Sequence, residues 1–544
     1  MIDRDSSAHR TNPAEGRSRA NMTAVEPGGC VPAEVDVLIV GAGISGIGTA
    51  YHLKTKRPGT SFAIVEARDA LGGTWDLFRY PGVRSDSDLH TLGYEFKPWR
   101  KKHAYAGGGE ILGYLHETVD EHGLRPYLHL GHRVVGASFS SDTGRWTVTL
   151  LRTSDDTMLT VTCSFFFSAT GYYDYDEGYS PEFEGSDDFR GTIVHPQHWP
   201  EALDCAGKRV VVIGSGATAV TLIPALAGVA EHVTMLQRSP SYVLGWPKEN
   251  KVANALRRAL PTAAADRAVR SLSIRMLHEM YRTSRRAPNL FRRLLRLRMT
   301  SVLPDDYPVD VHFNPSYDPW DQRLCVATDG DLFDAIATGE ASVVTDRIAR
   351  FTPTGIALES GGEIEADVIV TATGLKLVPF GRIEVDVDGV PVDWHECVTY
   401  KATMLTGVPN FAFAFGYTNS SWTLKVDLTG HHLCRLLDHM DDQGYDVVTP
   451  ICDDPAVGGG PFWDLTSNYL RRSADVFPTS GEGGPWSMEQ NYYLDRRRLR
   501  REPVDDPALR FTRVAEPAGS SSPAGSREPP PRVPGPRSSL PQGR

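Results

Sequence analysis

Two segments of this chain each run from a short apolar strand into a glycine turn and then a helix-forming stretch. This repeat constrains the fold more than any other feature. The first is Val35-Asp-Val-Leu-Ile-Val-Gly41-Ala-Gly43-Ile-Ser45-Gly46. In such a unit the first glycine permits the tight turn, the second lets backbone approach a pyrophosphate, and the third lets helix pack on strand. An anion then sits at a helix N-terminus, where free N–H groups and the helix dipole favour it. A following strand, Phe62-Ala-Ile-Val, ends in Glu66, 20 residues after Gly46. A carboxylate there can accept hydrogen bonds from a ribose diol. The second unit is Arg209-Val-Val-Val-Ile-Gly214-Ser215-Gly216-Ala217-Thr218-Ala219-Val220, with alanine in the third glycine's place. Its next strand begins at His232 and ends at Gln237 and Arg238. A cation at that position suits a 2′-phosphate; the alternative is a surface arginine at a strand end.

Opposite charges at the two ribose positions imply two different dinucleotides, most simply FAD in the first unit and NADPH in the second. Electrons then have a route from NADPH to flavin. The seven cysteines form no CxxC or CxxxxC pair, which excludes a dithiol relay and fits a reducing, cytoplasmic setting. The histidines and cysteines show no ligand clustering, so no metal is expected. His431 and His432 project from different faces of a predicted helix and read as a solvated or capping pair. Dioxygen is the remaining common acceptor. The net charge of −11 argues against a nucleic-acid partner. No stretch approaches the roughly 20 apolar residues of a membrane span.

Between the two units lies Phe189-Arg-Gly191-Thr-Ile-Val-His195-Pro-Gln-His-Trp199-Pro200. This resembles the FxGxxxHxxxW(P/D) signature of Baeyer–Villiger monooxygenases. Upstream, Gly72-Gly73-Thr74-Trp75-Asp76-Leu77-Phe-Arg-Tyr80-Pro81-Gly82-Val-Arg84-Ser85-Asp86 matches the family's second signature at every specified position. The resemblance continues through Tyr317–Arg323, Thr371–Gly374 and Gly416–Lys425, and covers about residues 35–513.

The resemblance implies that NADPH reduces FAD, and that the reduced flavin adds oxygen at C4a. The resulting peroxyflavin converts a small apolar ketone to an ester or lactone, or oxygenates soft sulfur. Such chemistry needs a fixed cation and a water-poor site. The family's active-site arginine falls on Arg323, and an acid able to hold it falls on Asp86. The alternative for Arg323 is a structural ion pair, for example with Asp321. The resemblance places Gly41, Gly43, Ser45, Gly46, Glu66, Thr74, Trp75, Asp76, Leu77, Asp86 and Val134 at FAD. It places Arg84, Ser85, Asp86, Gly214, Ser215, Gly216, Ala217, Thr218, Ala219, Val220, Gln237 and Arg238 at NADPH. Phe189, Gly191, His195 and Trp199 would link the domains and gate cofactor movement rather than do chemistry. Asn419, Ser420 and Thr423 would face the flavin pyrimidine from a helix start. The close rival is a flavin N- or S-oxygenase without ketone activity, against which Trp199-Pro200 argues. A non-catalytic, membrane-associated flavoprotein sensor is the reading from another class.

The fold expected is α/β, with two Rossmann-like dinucleotide-binding domains, the NADPH domain inserted into the FAD domain. The FAD domain spans 35–189 and 372–513, and the NADPH domain 190–371 with a helical excursion at 248–313. Residues 1–34 read as a disordered extension, with Met22 an alternative start. Residues 514–544 hold 18 Pro, Ser and Gly and read as a disordered tail. The stretch 248–300 carries 14 Lys and Arg against three carboxylates, a local charge of +11. It reads most plainly as a helical cap on the NADPH domain with a solvated basic face, and alternatively as a contact with anionic lipid.

Overall fold

In a computed structural model of the chain, residues 30–454 and 457–515 are described. The expectations for residues 1–29 and from 516 onward lie outside that range. The apolar strands that open the two glycine units each sit at the centre of a sheet. Around Glu34–Val40 the parallel strands run Leu128–His129, Phe62–Val65, Glu34–Val40, Thr157–Ser168 and Phe411–Phe413. Val40 stands in register with Val65 on one side and Ser168 on the other. An antiparallel extension through Arg145–Arg152 and His132–Ser140 reaches the late strand Glu384–Val387, so residues from before and after the second sheet's segment share this first sheet. The second sheet is wholly parallel, in the order Ala341–Thr345, His232–Gln237, Arg209–Ile213, Val368–Thr371 and Thr192–Val194. Its strands read as near-continuous Val and Ile because both faces are buried.

Two chain crossings join the sheets, and they pair with each other. Tyr173–Gly178 leads out of the first domain, Leu375–Leu377 leads back, and the two form an antiparallel ladder. Each crossing begins just beyond an Ala-Thr-Gly turn that follows a central strand. The same contact recurs in both domains: a Cβ on Gly41 would lie 2.5 Å from the Ala169 carbonyl, and one on Gly214 would lie 2.3 Å from that of Ala372. Both glycines hold positive φ, 108° and 130°. The turn after the neighbouring strand therefore presses on the nucleotide loop, and glycine is required there for conformation and for space.

The excursion opens and closes on a parallel pair, Val243–Trp246 with Cys325–Thr328. Between them run helices Lys251–Ala259, Thr262–Arg286 and Pro288–Thr300. A cap on the NADPH domain alone is corrected. Pro288–Thr300 does pack there, through Phe291, Leu295 and Met299. The two preceding helices instead dock on the domain built around the first sheet. Arg257 donates to the Trp99 carbonyl, Asp266 pairs with Arg100, and Arg270 donates to the Gly93 carbonyl and pairs with Asp427. The excursion thus bridges the domains, and part of its basic charge is spent on that bridge. The reading of His431 and His432 as a solvated or capping pair is corrected for His432; His431 is half-buried, with Lys56 beside its ring. His432 is buried, and burial lowers its pKa to about 3. Among the described residues no helix is long and apolar enough to cross a membrane.

Candidate functional site between two dinucleotide loops

Both glycine loops open on one cavity of about 1570 Å³ between the domains, at the carboxyl ends of both sheets. That is larger than an ordinary single-ligand pocket, and it lies where parallel sheets bind ligands. Helices Ile44–Lys56 and Ala217–Leu226 start at the cavity, and neither has a side-chain N-cap or an acid in its first turn. Their free N–H groups are left for an anion. A Cβ on Gly43 would meet only Gly73, at 3.6 Å, and one on Gly216 would meet nothing within 4 Å. These two positions leave the open approach a pyrophosphate needs. Gly46 serves packing: a Cβ there would fall 1.9 Å from the Gly41 carbonyl.

At the first loop, Glu66 lines the cavity and accepts from the backbone N–H of Ala42 at 2.8 Å and of Arg68 at 3.0 Å. Burial raises its pKa against those bonds. Each carboxylate oxygen keeps a lone pair for a hydroxyl. Ser45, Thr74, Trp75 and Val134 also line the wall. Asp76 and Leu77 do not. Asp76 is buried between Arg68 and Arg79, and Leu77 packs into the core of the second domain. At the second loop, Ser215, Ala217, Thr218, Gln237 and Arg238 line the cavity. Ala219 and Val220 point into the core, at 0% and 1% exposure. Arg84 and Ser85 lie on the wall, but Arg84 is already paired with Asp331. Arg238 has no carboxylate partner among the described residues. Arg347, which follows the adjacent strand Ala341–Thr345, reaches the same wall and is a second cation there that the sequence did not flag.

Between the loops, Arg323 forms a two-pronged pair with Asp86. Nε donates to Oδ2 at 2.8 Å and Nη2 to Oδ1 at 2.9 Å. The Asp86 carboxylate raises the arginine's pKa further, so the guanidinium stays charged at any working pH. The alternative partner Asp321 is taken by Arg285. Around Arg323 stand the phenols of Tyr172, Tyr173 and Tyr469, kept protonated by burial. The Tyr172 and Tyr173 hydroxyls are 3.1 Å apart, and the Tyr172 ring stacks on Trp422 at 5.3 Å. The Trp422 indole donates to the Ser45 hydroxyl at 2.8 Å, tying this wall to the first glycine loop. Tyr172 and Tyr173 directly follow the first Ala-Thr-Gly turn, a signal the sequence did carry; Tyr469 has none. Of the three residues expected at a helix start, only Ser420 lines the cavity. Asn419 donates to the Gln490 carbonyl, and Thr423 to the carbonyls of Thr91 and Leu92.

The residues from Phe189 to Trp199 lie outside the cavity wall. Phe189 packs edge-on against Phe351, and a Cβ on Gly191 would sit 2.5 Å from the Phe189 ring. His195 Nδ1 accepts from the Gln197 N–H, and Nε2 lies 3.2 Å from the Gly374 carbonyl, to which it donates. Burial lowers the pKa of this imidazole. Opposite the ring is Gly178, where a Cβ would fall 2.0 Å from Cε1. His195 therefore sits against both strands of the crossing ladder. Trp199 packs on the core of the second domain.

Residues 39–101 match the family described as an NAD(P)-binding Rossmann-like domain, and residues 96–309 the one described as flavin-binding monooxygenase-like. The FAD-containing monooxygenase EthA of Mycolicibacterium smegmatis is 50% identical over 488 residues, covering 90% of this chain and 99% of that protein. The probable FAD-binding monooxygenase AlmA of Acinetobacter baylyi is 46% identical over 489 residues, covering 89% and 97%. Among solved structures, an oxidized steroid monooxygenase bound to NADP shares the fold at TM-score 0.70 and 22% identity, covering 88% of this chain and 99% of that one. A closed cyclohexanone monooxygenase does so at TM-score 0.63 and 23% identity, covering 77% and 87%.

Proposed function

The chain belongs to the flavin-binding monooxygenase family, and from that premise we propose that it is an FAD- and NADPH-dependent oxygenase of Baeyer–Villiger type that also oxygenates sulfur. The observation that carries this reading is the Arg323–Asp86 pair, set between two dinucleotide loops in one cavity. Flavin, when bound, would pass electrons from NADPH to dioxygen and deliver one oxygen atom to the substrate.

The residues of the chain would do the rest. Gly41, Gly43 and the first helix N-terminus would hold one pyrophosphate, and Glu66 its ribose. Gly214, Gly216 and the second helix N-terminus would hold the other, with Arg238 and Arg347 on the 2′-phosphate. Arg323 would stabilise negative charge developing on oxygen and then the oxyanion of the substrate adduct, a contribution worth several kcal/mol in a site that excludes water. Asp86 fixes the guanidinium plane by its two hydrogen bonds. Tyr172, Tyr173, Tyr469 and Trp422 make an aromatic wall that suits an apolar substrate. His195 would couple the domains through the crossing ladder, where a small rotation changes how one coenzyme faces the other.

Trp199-Pro200 favours ketone activity over an N- or S-oxygenase, and the two fold neighbours are named for steroid and cyclohexanone. The test is NADPH consumption by the purified enzyme with a panel of ketones and sulfides, with products identified by mass. Esters or lactones are expected beside sulfoxides. Sulfoxide with no ester from any ketone would assign the rival activity.

A further inference from the structure

Helix Pro288–Thr300 has an apolar stripe that the protein core does not use. Phe291, Leu295 and Met299 fill its buried side. On the far side Leu290, Leu294 and Leu297 are 52%, 54% and 60% exposed. Their spacing of four and three places them along one line of the helix. At 100° per residue, Arg298 borders that line on one side and Arg293 on the other, and both are exposed. Neither pairs with a carboxylate among the described residues. The arginines turned away from the stripe do pair, Arg292 with Asp318 and Arg296 with Asp310. The uncompensated charge of the helix therefore lies along the borders of its exposed leucines.

An apolar stripe with cationic borders is the pattern of a helix lying in a lipid interface. Face-to-face pairing with a second copy would bring these cationic borders together, and a purely electrostatic partner would leave the leucines in water. We propose that this helix docks the enzyme on an anionic lipid surface. The leucines enter the acyl boundary, and Arg293 and Arg298 meet lipid phosphates.

The docked helix is also part of the cavity's surroundings. Arg292 donates to the Tyr242 hydroxyl at 2.8 Å and to the Tyr317 carbonyl at 3.2 Å, and Tyr317 lines the cavity. An apolar substrate dissolved in the bilayer would thus be presented beside that wall. This consequence rests on the oxygenase reading; the docking does not.

The test is sedimentation of the full-length, FAD-loaded protein with vesicles of phosphatidylcholine alone or mixed equally with phosphatidylglycerol. Binding to the mixed vesicles is expected, with loss in high salt and little binding to phosphatidylcholine. The variants L290S/L294S/L297S and R293Q/R298Q should each lower partitioning at least tenfold while flavin content and NADPH oxidation in solution stay unchanged. Three results would overturn the proposal: no binding, equal binding to both vesicle types, or wild-type binding by either variant. A concentration-dependent dimer abolished by the leucine variant, without vesicle binding, would assign the stripe to a second copy instead. Failure of the oxygenase reading would show separately, as NADPH oxidation that no substrate stimulates.

Discussion

Asp86→Asn keeps the shape of the side chain that holds Arg323 and removes its charge. In the native pair both carboxylate oxygens accept, at 2.8 and 2.9 Å. Asparagine offers one acceptor and turns an NH2 toward a guanidinium that can only donate, so one bond is lost and a donor faces a donor. Two unit charges about 4 Å apart attract by about 4 kcal/mol at an effective dielectric of 20. The partners are 33% and 22% exposed, and solvent screening brings the usable part to about 1.5–3 kcal/mol. With the clamp gone the guanidinium swings, and oxygen transfer should fall by about 10–100-fold. The loops that hold the coenzymes are untouched, so NADPH oxidation should continue and end in hydrogen peroxide. Measuring NADPH consumed, oxygenated product and peroxide together gives the coupling ratio. Near-complete coupling in the wild type should drop below about a tenth in Asp86→Asn. Unchanged coupling would refute the argument and leave the pair a structural one. Arg323→Lys keeps the charge without the fork and should resemble Asp86→Asn.

Other outcomes follow from the same geometry. Arg323→Ala should cut product formation by about 100-fold or more while flavin reduction by NADPH persists, read by stopped-flow absorbance. Arg238→Ala should weaken the preference for NADPH over NADH, and Arg238→Ala/Arg347→Ala should weaken it further, measured as the ratio of kcat/KM for the two coenzymes. Gly46→Ala forces a Cβ to 1.9 Å from a carbonyl and should abolish flavin retention, seen as colourless protein. On the acid side, burial lowers the pKa of His90 to about 4 and of His432 to about 3. Below their unfolded value of about 6.5 the native state binds fewer protons than the unfolded chain, so stability is full above that pH and falls beneath it. Each histidine contributes up to about 1.4 kcal/mol per pH unit. His432→Gln should flatten the fall in Tm between pH 6.5 and 5, and an unchanged slope would assign the fall to other groups.

The parts of this molecule legible in the sequence are those with local spacing rules. Strand, glycine turn and helix are consecutive in the chain, so both dinucleotide loops could be read directly. The Arg323–Asp86 pair, 237 residues apart, came from matched family motifs rather than from spacing. The aromatic wall was only half legible, because Tyr172 and Tyr173 follow a recognisable turn whereas Tyr469 reaches the cavity from a one-turn helix with no motif. Asp76 and Leu77 share a segment with Trp75, but a helical turn sends successive side chains in different directions, and only some face the cavity. The same rule explains Ala219 and Val220. The basic excursion shows what composition hides. Its charge count was plain, but which arginines are spent on Asp427, Asp318 and Asp310 depends on tertiary contacts. The burial of His432 belongs to the same class, since a helix position says little about what packs against it.

In the proposed reaction, reducing equivalents from one coenzyme activate dioxygen on the other, beside a guanidinium held by Asp86. The most direct measurement is turnover of the FAD-loaded enzyme with NADPH and a ketone or sulfide under isotopically heavy dioxygen. One heavy oxygen atom per product molecule is expected, with NADPH oxidation stimulated by substrate. Product oxygen drawn from water, or NADPH oxidation indifferent to every substrate, would contradict it.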